Sequence, residues 1–216
     1  MKSKKIRIAV YGVAVLMAAA TALVYGKLPE QIPTSWDFNG NVEYGSRMTL
    51  WMLVGFQVML AVMMEVMPKI DPRKQNYAKF SGYYDGFCLL MQLFMVVMWG
   101  IIVSESLYPG QVSVGQVVMV LLGILFLFLG NMLPKVKSNF YMGFRTPWAL
   151  SDSEVWRKTQ RLGGKTMFAG GIAMLLAGIF LKKLPMWFFL AVLILATGIP
   201  SAMSYLWWRK SGDRKS

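Results

Sequence analysis

The chain has 216 residues, 56% of them hydrophobic and only 15% charged, with a formal net charge of +13. Soluble domains carry ~25% charged residues, so this balance excludes an ordinary soluble fold. A single cysteine, Cys88, excludes an intrachain disulfide, and the absence of histidine excludes imidazole metal sites, imidazole-based catalysis and the usual pH switch.

A bilayer-spanning helix needs ~20 mostly apolar residues. Six runs meet or approach that length: Ile6–Tyr25, Met48–Met67, Gly86–Val103, Gln116–Leu133, Thr166–Leu181 and Leu184–Trp208. The first follows Lys2, Lys4, Lys5 and Arg7, but no clear cleavage pattern comes before Leu28-Pro29, so it reads as a retained span. The fifth is short and forms a tight hairpin with the sixth through Lys182-Lys183-Leu184-Pro185, where the lysines can snorkel to headgroups. Ala14, Ala18 and Ala22 on the first helix, and Ala169, Ala173 and Ala177 on the fifth, form small-residue stripes suited to packing within the bundle. Pro200, inside the sixth run, predicts a kink.

Lysine and arginine sort the loops. Nineteen lie in the N-terminus, segments 68–85 and 134–165, and the tail, whereas Lys27, Arg47, Lys182 and Lys183 lie in the alternate loops. The expected fold is an all-α polytopic bundle of six transmembrane helices with both termini in the cytoplasm. Its two regions are 1–107, with a structured external loop 26–47, and 108–216, with a cytoplasmic loop 134–165. The excess charge then records orientation and contact with anionic lipid on the inner face, with no direct binding of nucleic acid.

Polar residues within the spans are few. Glu65 lies near the cytoplasmic end of the second run with Lys69 four residues on, the arrangement of an interfacial ion pair. Gln57, Gln92 and Asp85 are the partners with which Glu65 could form an ion pathway.

Two loops carry most of the information. The external one, Leu28 to Arg47, has Pro29 and Pro33 to stiffen it, Asn39-Gly40 as a turn signal, and Trp36, Phe38 and Tyr44 suited to the interface. It reads as a cap, either a ligand contact or a membrane-surface anchor. In the cytoplasmic one, Ser151 and Glu154 have capping-box spacing. Val155, Trp156, Thr159 and Leu162 recur at helical spacing opposite Arg157, Lys158 and Arg161, and Gly163-Gly164 ends the pattern. This predicts a short amphipathic helix on the inner leaflet between spans four and five, or a docking surface for a cytoplasmic protein. Arg145 and Trp148 flank Pro147 at the same surface.

The string Gly143-Phe-Arg-Thr-Pro-Trp-Ala-Leu-Ser-Asp-Ser-Glu-Val-Trp156, after Asn131-Met-Leu-Pro-Lys135, resembles the SdpI family of bacterial toxin-immunity membrane proteins. Leu28-Pro-Glu-Gln-Ile-Pro-Thr-Ser-Trp36 resembles the domain that often precedes it. The resemblance implies a protein of the bacterial cytoplasmic membrane with a peptide toxin as partner. It also implies a receptor role in which a small cytoplasmic transcriptional repressor is held at the membrane. The inner-face motif would comprise Asn139, Gly143, Arg145, Thr146, Pro147, Trp148, Trp156 and Arg161, and the outer-face motif Pro29, Pro33, Trp36 and Gly40. Many relatives carry histidine where this chain has Ser35 and Gln160, so no imidazole role transfers.

No catalytic, cofactor or metal residues are expected. The competing readings are a small transporter or ion pathway through Gln57, Glu65 and Gln92, and an enzyme acting on a lipid-linked substrate. No nucleophile motif, carboxylate cluster or Gly-rich phosphate loop supports the second.

Overall fold

A computed structural model describes residues 3–37, 41–181 and 185–212. Among these, the helices are α1 (Lys4–Tyr25), α2 (Thr49–Ile70), α3 (Ser81–Leu107), α4 (Val114–Met132), α5 (Pro147–Ser151), α6 (Ser153–Phe180) and α7 (Met186–Gly212). All except α5 are long and apolar enough to cross a membrane. The chain is a polytopic helical bundle, and six crossings put both termini on one side, the side with the lysine and arginine excess. Twenty-two residues of α1 or α2 rise about 33 Å, one hydrocarbon core.

The external loop is a β-hairpin. Strands β1 (Gln31–Trp36) and β2 (Val42–Ser46) pair antiparallel, with Ile32 opposite Gly45 and Trp36 opposite Val42. Fully buried Ile32 joins Leu28, Leu50, Ile102 and Val103, and Trp36 packs at the edge of this cluster. Arg47 closes the hairpin base: its N–H donates to the Glu30 carbonyl (3.0 Å), and its guanidinium donates to Leu28 O (3.3 Å) and lies 4.9 Å from the Tyr25 ring centroid. The hairpin is thereby fixed to the outer ends of α1, α2 and α3. Gly40 and the expected Asn39-Gly40 turn lie outside the described residues, as do Lys182, Lys183 and Leu184 of the expected α6–α7 turn.

The tightest helix pair is α4 with α6, and glycines make it. A Cβ on Gly123 would lie 3.0 Å from Gly171 O, one on Gly130 2.8 Å from Gly164 O, and one on Gly178 3.0 Å from Gln116 O. These pairings run antiparallel with a seven-residue step on each helix, so backbones touch at every second turn. The alanine stripes are not this seam: Ala14 and Ala177 are buried, but Ala22 and Ala169 face outward.

The same seam corrects the expected inner-leaflet helix. Residues 153–162 are the first turns of the 28-residue α6, which continues through Gly163-Gly164. Glycine stops a helix by adopting positive φ, and among the described residues only Gly110 and Gly143 do so. A Cβ on Gly164 would instead meet Pro134 Cγ at 2.7 Å, and one on Gly163 would overlap the Phe144 ring. The pair is a crossing point, not a terminator. The cap is Asp152 rather than Ser151: its carboxylate accepts from Glu154 N (2.7 Å) and Val155 N (3.1 Å). Val155, Trp156 and Thr159 face protein, not the leaflet, and the element between spans four and five is the five-residue α5. Span five is then ample, because 28 residues rise about 42 Å.

Two prolines sit inside spanning helices, Pro68 in α2 and Pro200 in α7. Each removes the donor that would satisfy the carbonyl four residues back. Those carbonyls are Met64 O and Ala196 O. The first accepts from the Tyr84 hydroxyl of α3 (2.6 Å) and the second from the Thr166 hydroxyl of α6 (2.8 Å). Each freed acceptor is thus tied to a neighbouring helix, as a hydrocarbon setting requires.

Candidate inner-face site

At the cytoplasmic end, the α2–α3 link meets the loop between α4 and α5. Asn139, fully buried, organises that loop. Its Oδ1 accepts from Tyr141 N (2.8 Å) and Met142 N (2.6 Å), and its Nδ2 donates to Lys137 O (2.8 Å) and Met142 O (3.2 Å). An asparagine side chain replaces the backbone partners that an irregular loop lacks. From the link, buried Asp71 accepts from Phe140 N (2.9 Å) and Arg73 N (2.7 Å). The Tyr77 hydroxyl stands between Asp71 Oδ2 (3.1 Å) and Asn139 Oδ1 (3.2 Å), with one proton to donate. Arg73 donates to the Ser138 hydroxyl and to Leu150 O (3.2 Å), and its guanidinium lies 5.1 Å from the Phe140 ring centroid. Beneath this network a single apolar cluster joins Val10, Ala61 and Met64 to Met132, Val136 and Trp156. The Trp156 indole donates to Val136 O (3.0 Å).

A second group holds the Gly143–Trp148 string. Gly143 has φ +92, a conformation that side chains resist. The fully buried Gln160 amide pairs with both backbone groups of Phe144, accepting from its N–H (3.0 Å) and donating to its carbonyl (2.9 Å). A Cβ at Gly143 would meet Gln160 Oε1 at 2.5 Å. Thr146 caps α5, accepting from Ala149 N (3.2 Å), with Pro147 at the first turn. The Thr146 and Ser204 hydroxyls share a hydrogen bond (2.8 Å), and Trp148 meets the Tyr205 ring edge-on at 5.1 Å, so α5 is fastened to α7. Arg145 is exposed and donates to Phe140 O, while Arg161 is exposed on α6.

The structure therefore brings Asn139, Gly143, Arg145, Thr146, Pro147, Trp148 and Trp156 to one end of the bundle, with Arg161 on its outer surface. Sequence reasoning missed Asp71, Arg73, Tyr77 and Gln160. Gln160 carried a usable signal, since it stands one turn after Trp156 on the buried stripe of Val155, Trp156 and Thr159. In the outer group Pro33 is buried in β1, Trp36 is half-buried and Pro29 is exposed.

The intramembrane polar residues divide into two places. Glu65 accepts from Lys69 (3.0 Å), Tyr11 (2.8 Å) and Arg7 (3.4 Å), which extends the expected ion pair to α1. Asp85 accepts from the Ser3 N–H (2.9 Å). Gln57 and Gln92 are fully buried together, Gln92 Nε2 lying 3.5 Å from Gln57 O. Both Gln57 amide atoms and Gln92 Oε1 have no hydrogen-bond partner among the described residues. Also among the described residues, no three carboxylate or thiol groups come together as metal ligands.

A sequence model of the SdpI/YfhL protein family matches residues 135–204, from the inner loop through most of α7. Immunity protein SdpI of Bacillus subtilis (strain 168) is 22% identical over 193 residues, covering 89% of this chain and 91% of that protein. By these two matches the chain is similar to the SdpI/YfhL family. A model described as a domain of unknown function (DUF1648) matches residues 12–58, which hold most of α1, the hairpin and the first half of α2. No solved structure matches. With six apolar helices and this similarity to SdpI, the chain is a multi-pass protein of the bacterial cytoplasmic membrane. Its family segment is tied down by Asp71 and Tyr77, which fall outside both matched regions.

Proposed function

We propose that this chain is a non-enzymatic immunity protein that protects its bacterium against a secreted, membrane-active peptide toxin. It also acts as a receptor: with toxin present, the inner-face loop around Arg145 and Trp148 holds a small cytoplasmic repressor at the membrane. The observation that carries the reading is its similarity to an immunity protein along nearly the full length of both chains. The geometry supports it. The hairpin seats on the outer end of α3 through Ile102 and Val103, and the inner loop seats on the α2–α3 link through Tyr77 and Asp71. The link runs directly into α3, so one continuous stretch, 71–107, reaches both the inner loop and the hairpin. Glu65 is held by two cations and the Tyr11 hydroxyl and lies apart from the Gln57–Gln92 pair, which counts against a continuous ion path.

The test is expression of the full chain in cells sensitive to a secreted membrane-active peptide toxin, followed by challenge with that toxin. Survival at matched expression supports protection, and unchanged killing contradicts it. A fluorescent fusion of a candidate small repressor from the same bacterium separates the second role: Trp148→Ala should keep protection and lose toxin-dependent recruitment to the membrane.

A further inference from the structure

Between the inner loop and α7 lies a wide-mouthed cleft of about 500 Å³, lined among others by Phe144, Arg145, Thr146, Leu150, Thr197 and Ser201. Its lining contains one cation and no acid. Arg145 uses one guanidinium N–H on Phe140 O, and no carboxylate among the described residues pairs with it. The Thr197 and Ser201 hydroxyls donate to the Leu193 and Thr197 carbonyls within their own helix, so their oxygens face outward as acceptors.

The place matters as much as the lining. α7 is the least enclosed spanning helix among the described residues, and Ile194, on the same helix face as Thr197 and Ser201, is exposed. Ser201 stands eight residues before Arg209, about 12 Å along the axis and so within the inner leaflet near its headgroup boundary. An arginine there, without a carboxylate, is costly unless an anion meets it. Guanidinium groups pair with phosphate through two parallel hydrogen bonds. A membrane supplies phosphate joined to glycerol, whose hydroxyls would find the Thr and Ser oxygens, and to acyl chains, which would lie along Leu150 and the exposed face of α7.

We propose that this cleft binds the headgroup of an anionic phospholipid from the inner leaflet, with the phosphate on Arg145. The site does not depend on the immunity reading. It gives the inner loop a fixed depth in the membrane and makes a lipid part of the surface the loop presents.

The test is native mass spectrometry of the full chain in mild detergent, titrated with dioleoyl phosphatidylglycerol or dioleoyl phosphatidylcholine. The first phosphatidylglycerol should bind about tenfold more tightly than the first phosphatidylcholine, because choline offsets its own phosphate charge at Arg145 and lacks the glycerol hydroxyls. Arg145→Gln should abolish that preference, and Arg157→Gln, an exposed cation elsewhere, should keep it. Ser201→Leu narrows the cleft beside Arg145 without changing charge and should weaken binding of phosphatidylglycerol, which preserves the test if Arg145→Gln misfolds. Unchanged phosphatidylglycerol binding by folded Ser201→Leu overturns the proposal. So does displacement of the lipid by millimolar glycerol 3-phosphate, which would mark a free phosphate-ester site, or by a glutamate-rich peptide, which would mark a protein-docking surface.

Discussion

The side-chain amide of Gln160 forms a closed pair with the backbone of Phe144, with Oε1 3.0 Å from its N and Nε2 2.9 Å from its O. The donor and acceptor nitrogens of an imidazole point away from each other, so a histidine here could satisfy only one of those two groups, and an aliphatic residue neither. The pair sets the path of the motif loop and fills the space above Gly143.

Gln160→Leu should therefore destabilise the chain by about 2–4 kcal/mol, because two buried backbone groups lose their partners. Gln160→His should cost about half as much. Thermal unfolding of the purified variants in one detergent checks the order. Equal stability of wild type and Gln160→Leu would show that the pair holds nothing.

Gly143→Ala should lower stability by about 1–3 kcal/mol, since alanine resists positive φ and its Cβ meets the Gln160 amide. The steric part depends on Gln160. In a Gln160→Ala background the same substitution should cost less, and a double-mutant cycle reads the coupling. Strict additivity would mean the two residues do not touch.

At the α4–α6 seam, Gly130→Leu should separate the helices, since its Cβ alone would lie 2.6 Å from Phe168 N. A loss of about 3 kcal/mol or more is expected, beyond ordinary overpacking because the clash is with backbone. Gly12→Ala and Gly55→Ala, inside α1 and α2, meet nothing within 4 Å and should be neutral or stabilising by up to about 1 kcal/mol in the same unfolding assay.

The Tyr84 hydroxyl satisfies the Met64 carbonyl that Pro68 leaves free. Tyr84→Phe should cost about 1–2 kcal/mol. In a Pro68→Ala background it should cost less, because the regained N–H at residue 68 serves the same carbonyl. Thr166→Val with Pro200→Ala should behave alike, and an undiminished cost in either cycle would contradict this role for the hydroxyls.

Apolar run length and the charge of the loops made the six spans and their direction legible, because the bilayer imposes both on composition. The site was legible only in part. Asn139, Gly143 and Arg145 stood out as a string, but Asp71 and Tyr77 lie over sixty residues away, and nothing local announces a contact at that separation. Gly163-Gly164 misled because a glycine pair has two physical uses, ending a helix or admitting a neighbour. Only the partners, Pro134, Phe144 and Gly130, decide between them.

The remaining claims depend on the hairpin and the inner loop lying on opposite faces of the membrane. In a Cys88→Ser background, Ser35→Cys and Ser153→Cys place single thiols on exposed positions of β1 and of the start of α6. With an impermeant thiol reagent on intact cells, Ser35→Cys should label at once and Ser153→Cys only after permeabilisation. Equal labelling of both from outside, or the reverse order, would contradict the topology and the inner-face site with it.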